Sequence, residues 1–312
     1  MDGEQPAPKK FQHPDITAKG EPRAAVPFVT LDTLWVNTGT LCNVECTHCY
    51  IESSPTNDRL VYLTAADIIP FLDEARAMNA REIGFTGGEP FMNPEMIAIA
   101  DAALSRGFES LILTNAMRPM MRPKIREGLL NLRDRFGRLL TLRVSLDHYS
   151  AESHDMERGS GAFEAGMAGV KWLDENGFAI TIAGRSLSGE SDGELRAGFS
   201  ALFAERGLSL DAQDLAQLVI FPEMDPVKEV PEITTACWSI LGKDPAEVMC
   251  ANSRMLVKRK GAERPAVLSC TLLPYDAQFE MGASLAEAAA PVRLNHPFCA
   301  QFCVLGGASC SG

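Results

Sequence analysis

The sequence predicts an α/β fold: a parallel sheet with helices between its strands, followed by a small cysteine-rich β-hairpin module. Strand-like and helix-like stretches alternate six times over about 190 residues, the pattern of a parallel sheet with crossover helices. Polar, glycine-rich and cysteine-rich features fall at the carboxyl ends of the strand-like stretches, where such sheets bind ligands. Beyond Pro226 the alternation stops, and two short strand-like runs appear with a cysteine on either side. The expected organisation is a flexible leader over residues 1–27, a core domain over 28–225 and a C-terminal module over 226–312.

The elements follow in order. Residues 33–36 (Thr33, Leu34, Trp35, Val36) read as a short buried strand that runs into a cysteine loop. Thr64 with Asp67 three residues on forms a capping-box start, and Ile68, Phe71, Leu72, Ala75 and Met78 then keep helical spacing. Pro70 predicts a small kink in the early turns of that helix. A strand at 82–85 leads into Thr86-Gly87-Gly88-Glu89-Pro90, and Asn93 before Pro94 is the expected cap of the next helix. Further strands are expected at 110–114, 139–146, 178–183 and 215–221, separated by helices ending near Phe136, Glu175 and Arg206. The cysteine loop, the Gly-Gly-Glu-Pro turn, Asn115, Ser145 and Gly184-Arg185 thereby converge on one rim.

Composition narrows the function. The chain has 312 residues, 46% of them hydrophobic and 22% charged, which suits a folded protein with a sizeable core. A net charge of −12 argues against nucleic acid as the main partner, because phosphate binding rests on Lys and Arg. No stretch approaches the roughly 20 apolar residues of a membrane span. The leader is rich in Pro, Lys and Glu and lacks the apolar segment of a secretion signal. Nine cysteines, clustered in two places, point to metal binding in a reducing compartment, so a cytoplasmic location is expected.

The first cluster is Cys42-Asn43-Val44-Glu45-Cys46-Thr47-His48-Cys49. Three thiolates in one loop leave one iron of a [4Fe-4S] cluster without a protein ligand, and an open iron can do chemistry. A closed zinc site with His48 as fourth ligand also satisfies this loop taken alone.

Cys42, Cys46 and Cys49 after the first strand, with Gly87-Gly88-Glu89-Pro90 after the second, resemble the radical S-adenosylmethionine (SAM) superfamily from about Leu31 to Pro222. The resemblance implies a partial (β/α)6 barrel whose cluster binds the amino and carboxylate groups of SAM. Reductive cleavage of SAM then gives methionine and a 5'-deoxyadenosyl radical that takes hydrogen from a substrate. It further implies that the Gly87 and Gly88 carbonyls accept from the SAM ammonium, with Glu89 adding negative charge and Pro90 fixing the turn. Ser145 resembles the position that binds the SAM ribose or carboxylate, Asn115 and Arg185 are candidates of the same kind, and His48 sits where an aromatic residue is usual. An electron donor such as flavodoxin or ferredoxin is also implied.

In the C-terminal module, residues 254–260 and 265–269 read as two strands joined by a turn at 261–264. Antiparallel pairing would bring Cys250 and Cys270 to the same end. Ser284 with Glu287 marks a short helix, and Cys299, Cys303 and Cys310 follow. This arrangement resembles the SPASM or twitch extension of radical SAM enzymes. Five cysteines, or six with Cys237, fall short of the eight that two fully ligated clusters need. One auxiliary [4Fe-4S] cluster is therefore expected, with zinc the alternative metal and Cys237 a buried small hydrophobe. The resulting expectation is an oxidoreductase acting on a peptide or a small molecule. The alternative is a non-catalytic iron-sulfur or zinc carrier or scaffold.

Overall fold

In a computed structural model, residues 9–186, 189–225 and 227–308 are described. The strands are β1 (Ala25–Val26), β2 (Thr33–Asn37), β3 (Glu82–Thr86), β4 (Glu109–Thr114), β5 (Leu140–Ser145), β6 (Ala179–Ser186), β7 (Leu218–Pro222), β8 (Ser253–Val257), β9 (Ala266–Leu268) and β10 (Val292–Arg293). The helices are α1 (Ala65–Ala77), α2 (Met96–Leu104), α3 (Pro123–Phe136), α4 (Ala151–Arg158), α5 (Ala162–Glu175), α6 (Asp192–Arg206) and α7 (Cys237–Leu241).

One eight-stranded sheet runs in the order β7-β6-β5-β4-β3-β2-β8-β9. Its first six strands are parallel and nearest neighbours in sequence, the expected α/β core. Period-two alternation separates the two faces. Leu34, Val36, Ile112 and Leu256 pack under the helices, whereas Trp35, Leu111, Met255 and Leu268 form a smaller cluster on the other face. The parallel register aligns the strand ends: Asn37 lies opposite Thr86, and Ser145 opposite Ala183. That alignment creates the rim on which the loops sit.

The local signals act as the sequence predicts in most places. Thr64 and Asp67 form the reciprocal capping box of α1, which keeps Pro70 inside it. Asn93 departs from expectation, because α2 begins only at Met96. Buried Asn93 instead donates from Nδ2 to the carbonyls of Thr38 (3.1 Å) and Leu63 (2.8 Å), tying the start of the cysteine loop to the approach to α1. Residues 284–289 form turns and no helix, although the Glu287 amide does donate to Ser284 Oγ.

Two larger features had no local signal. The C-terminal hairpin is continuous with the core sheet, since β8 pairs in parallel with β2 and places Leu34 opposite Arg254. The described part of the leader, expected to be flexible, makes defined contacts with the C-terminal module. There β1 pairs with β10, the Phe11 amide donates to Glu232 Oε1, and the buried Arg23 guanidinium pairs with Glu232. Ala24 and Val26 join Val230, Ile233, Val292 and Phe302 in a second apolar core. No helix among the described residues is long and apolar enough to cross a membrane.

Candidate functional site

The rim encloses a cavity of about 200 Å³. Its walls include Cys42, Cys46, His48, Cys49, Gly87, Gly88, Asn115, Ser145 and Arg185, so nine of the residues singled out in the sequence meet there.

The cysteine loop is held from three sides. Asn115 Nδ2 donates to Asn43 Oδ1 at 2.9 Å and lies 3.9 Å from Cys42 Sγ. The Ser53 amide donates to Cys49 Sγ at 3.2 Å. On the α4 side, the Thr47 amide donates to the Glu157 carbonyl, and exposed His48 places Nδ1 2.9 Å from the Glu157 carboxylate. His48 is thus engaged by a carboxylate outside the thiol set.

The glycine pair has a packing reason to be there. Gly87 has φ +139°, which disfavours any side chain. A Cβ on Gly87 would sit 2.4 Å from the Gly39 carbonyl oxygen, and one on Gly88 2.2 Å from that of Leu41. The turn after β3 therefore lies directly against the base of the cysteine loop, joined by Gly88 N–H to Gly39 O and Glu89 N–H to Leu41 O.

Glu89 and Pro90 do not line the cavity. The buried Glu89 carboxylate accepts from Thr114 Oγ1 (2.8 Å), the Asn115 amide (2.8 Å) and the Phe91 amide (3.2 Å). Burial pushes its pKa up to about 7, against the pull of these donors. Glu89 thus staples the β3 turn to the end of β4, which sets where Asn115 meets the cysteine loop. Pro90 opens a short 3-10 turn beneath it.

A buried ion pair completes the wall. Arg158 grips Asp147 with two parallel bonds, Nε to Oδ2 at 2.6 Å and Nη2 to Oδ1 at 2.8 Å. Burial raises the Asp147 carboxyl, but Arg158 and then Arg185 outweigh it and hold the group below the usual carboxylate range. Replacing Arg158 by Ala is expected to cost about 3–5 kcal/mol in chemical denaturation, because it strands a buried carboxylate. The depressed carboxyl contributes stability that is present above its unfolded value of about 3.9 and lost as pH falls through its lower folded value. The wild type should therefore lose this contribution only in acid, and Arg158→Ala should lack it already at neutral pH.

Arg185 bonds Glu223 at 2.7 Å and lies 3.6 Å from Glu157, while its guanidinium covers the Tyr50 ring at 4.9 Å. Tyr50 packs edge-on against Phe302, which stacks on Phe221 at 5.8 Å. Phe302, Thr271 and Leu272 bring the C-terminal chain into the cavity wall. Asp147 was legible as the residue two beyond Ser145 on the same strand exit. Leu272 and Phe302 had no such signal, because their place depends on contacts between distant segments.

A second, smaller cavity is lined by Cys250, Cys270, Cys299 and Cys303, and Leu272 belongs to the walls of both cavities. The thiols come together as the hairpin predicted, since antiparallel β8–β9 returns Cys270 toward Cys250. Cys299 and Cys303 arrive on a π-helical turn, Cys299–Val304. Cys237 packs beside this core and Cys310 lies outside the described residues. Burial pushes the thiols of Cys42 and Cys250 up to about 12 and about 11, so a metal would displace protons on binding. Among the described residues, no three His, Cys, Asp or Glu side chains converge on a site for a single metal ion.

A model of the radical SAM superfamily matches residues 36–197. The AdoMet-dependent heme synthase of Methanosarcina barkeri is 32% identical over 145 residues, 45% of this chain and 38% of that protein. The antilisterial bacteriocin subtilosin biosynthesis protein AlbA of Bacillus subtilis is 28% identical over 143 residues, 46% of this chain and 30% of its own length. The matches thus span well under half of these curated relatives. Streptococcus suis SuiB bound to S-adenosylmethionine superposes with a TM-score of 0.59 at 14% identity, covering 81% of this chain and 63% of SuiB. Tagged anSMEcpe with bound AdoMet gives 0.58 at 14% identity, over 83% of this chain and 77% of that one. At such identities the two structures show a shared fold.

Proposed function

The chain belongs to the radical SAM superfamily, and from that premise we propose that Cys42, Cys46 and Cys49 hold a [4Fe-4S] cluster beside a SAM site. The observation that carries this reading is the single cavity in which the three thiols face Gly87, Gly88, Asn115, Ser145 and Arg185. We further propose that Cys250, Cys270, Cys299 and Cys303 hold an auxiliary [4Fe-4S] cluster. When bound, these groups supply a 5'-deoxyadenosyl radical for hydrogen abstraction and a nearby one-electron acceptor, so the reaction class we propose is dehydrogenation or oxidative cross-linking.

The protein's own groups have defined tasks in this reading. The Gly87 and Gly88 backbone offers acceptors to the SAM ammonium, and Ser145 and Arg185 bind its ribose or carboxylate. Asp147 and Glu157, through Arg158 and Arg185, keep two guanidinium groups oriented at the wall. Leu272, Phe221 and Phe302 present apolar surface to the reacting space and exclude water from it. The reducing electron comes from a one-electron carrier such as flavodoxin or ferredoxin. Relatives named for a bacteriocin and for heme leave the proposed substrate as a peptide or a small metabolite.

The double variant Cys250→Ala, Cys270→Ala tests the two-cluster reading. Iron should fall from roughly eight to roughly four per chain while SAM cleavage persists. Unchanged iron would remove the auxiliary cluster.

A further inference from the structure

The chain is acidic overall, yet Ala116 to Glu127 contains Arg118, Arg122, Lys124 and Arg126 against a single acidic residue, exposed Glu127. All four are exposed, and among the described residues none forms an ion pair with a carboxylate. Several other surface arginines are matched, Arg81 with Glu109, Arg106 with Asp73, Arg135 with Asp101 and Arg206 with Glu164, whereas exposed Arg76, Arg138 and Arg264 stand singly without a carboxylate partner among the described residues. Arg122 is anchored on the carbonyls of Pro119 and Phe91, and Arg126 lies over the Trp172 ring at 5.2 Å, so these two side chains are held in place at the start of α3.

The basic segment begins where the cysteine loop is held. Asn115 bonds Asn43, and Asn43 Nδ2 lies 3.5 Å from Met117 Sδ, the residue before Arg118. Through Met117 the start of this segment therefore adjoins Asn43 of the cysteine loop. A positive patch on a negative molecule steers and orients an acidic partner while the rest of the surface repels it.

We propose that Arg118, Arg122, Lys124 and Arg126 form the docking face for a small acidic one-electron carrier protein, which reduces the cluster held by the adjacent loop. This rests on the cluster reading above and adds the surface through which the electron enters. Nucleic acid is disfavoured as the occupant by the net charge of −12, which repels a polyanion beyond this one segment.

The test compares the reconstituted wild type with Arg118→Glu, Lys124→Glu, Arg126→Glu, omitting Arg122 because it supports the Phe91 turn. Each is mixed with reduced flavodoxin in a stopped-flow instrument, and bleaching of the cluster absorbance is followed. The wild-type rate should fall steeply with salt, and the triple variant should be about tenfold slower at low salt with a flat salt dependence. Photoreduction by 5-deazaflavin, which needs no docked protein, should match wild type. Reversing Lys19 and Lys228 to Glu, exposed residues outside this segment, should leave the flavodoxin rate within about twofold of wild type. Wild-type flavodoxin kinetics in the triple variant would overturn the proposal, as would equal slowing by the Lys19 and Lys228 reversal. Failure of the cluster reading shows separately, as absent bleaching of the wild type by 5-deazaflavin, and would remove this proposal with it.

Discussion

Cys46→Ala is expected to abolish SAM cleavage and to lower iron by roughly four per chain, while the protein stays folded. The two effects separate because Cys46 belongs to none of the three apolar cores, whereas Cys250 and Cys299 do. Removing a thiol outside the packed core should change folding stability by no more than about 0.5 kcal/mol. The loop would still be held by Asn115 on Asn43, by Ser53 on Cys49 and by Thr47 on Glu157. Two remaining thiolates cannot hold a cluster that the loop holds with three. Iron content, circular dichroism and formation of 5'-deoxyadenosine together check the prediction, and cleavage surviving in Cys46→Ala would refute the assignment.

Gly88→Ala is expected to be a highly disruptive small substitution at the site. One methyl group would stand 2.2 Å from the Leu41 carbonyl oxygen and 2.7 Å from that of Thr40. Both are backbone atoms, so no rotamer change relieves the clash, and the β3 turn must separate from the cysteine loop. Overpacking of this kind costs about 1–3 kcal/mol. The separation would also weaken the bonds from Gly88 N–H to Gly39 O and from Glu89 N–H to Leu41 O, which set the loop's position. A lower denaturation midpoint with reduced iron retention is the expected pair of results. Normal values for both would show that the contact is not needed.

The core was readable in the sequence where local rules govern it. Capping by Thr64 and Asp67 acts within three residues, and so does the alternation that turns Leu34 and Val36 one way and Trp35 the other. The rim was readable because parallel strands must deliver their carboxyl ends to one side. The gathering of Cys250 and Cys270 followed from hairpin geometry alone. What stayed hidden depends on pairing between distant segments. The leader is pinned by Arg23 to Glu232, β8 joins β2 across more than 200 residues, and Leu272 stands between two cavities. Glu89 shows the limit within a motif: its identity was legible, but the choice between facing SAM and stapling β3 to β4 depended on Thr114 and Asn115.

The most direct measurement is the assay of SAM for 5'-deoxyadenosine with anaerobically purified protein, reconstituted with iron and sulfide and reduced with dithionite. The cavity formed by Cys42, Cys46, Cys49 and the Gly87-Gly88 turn predicts 5'-deoxyadenosine from the wild type and none from Cys46→Ala. Absence of cleavage by wild-type protein carrying a full, reduced cluster, with candidate peptide and small-molecule substrates present, would contradict it and make the chain an iron-sulfur carrier or scaffold.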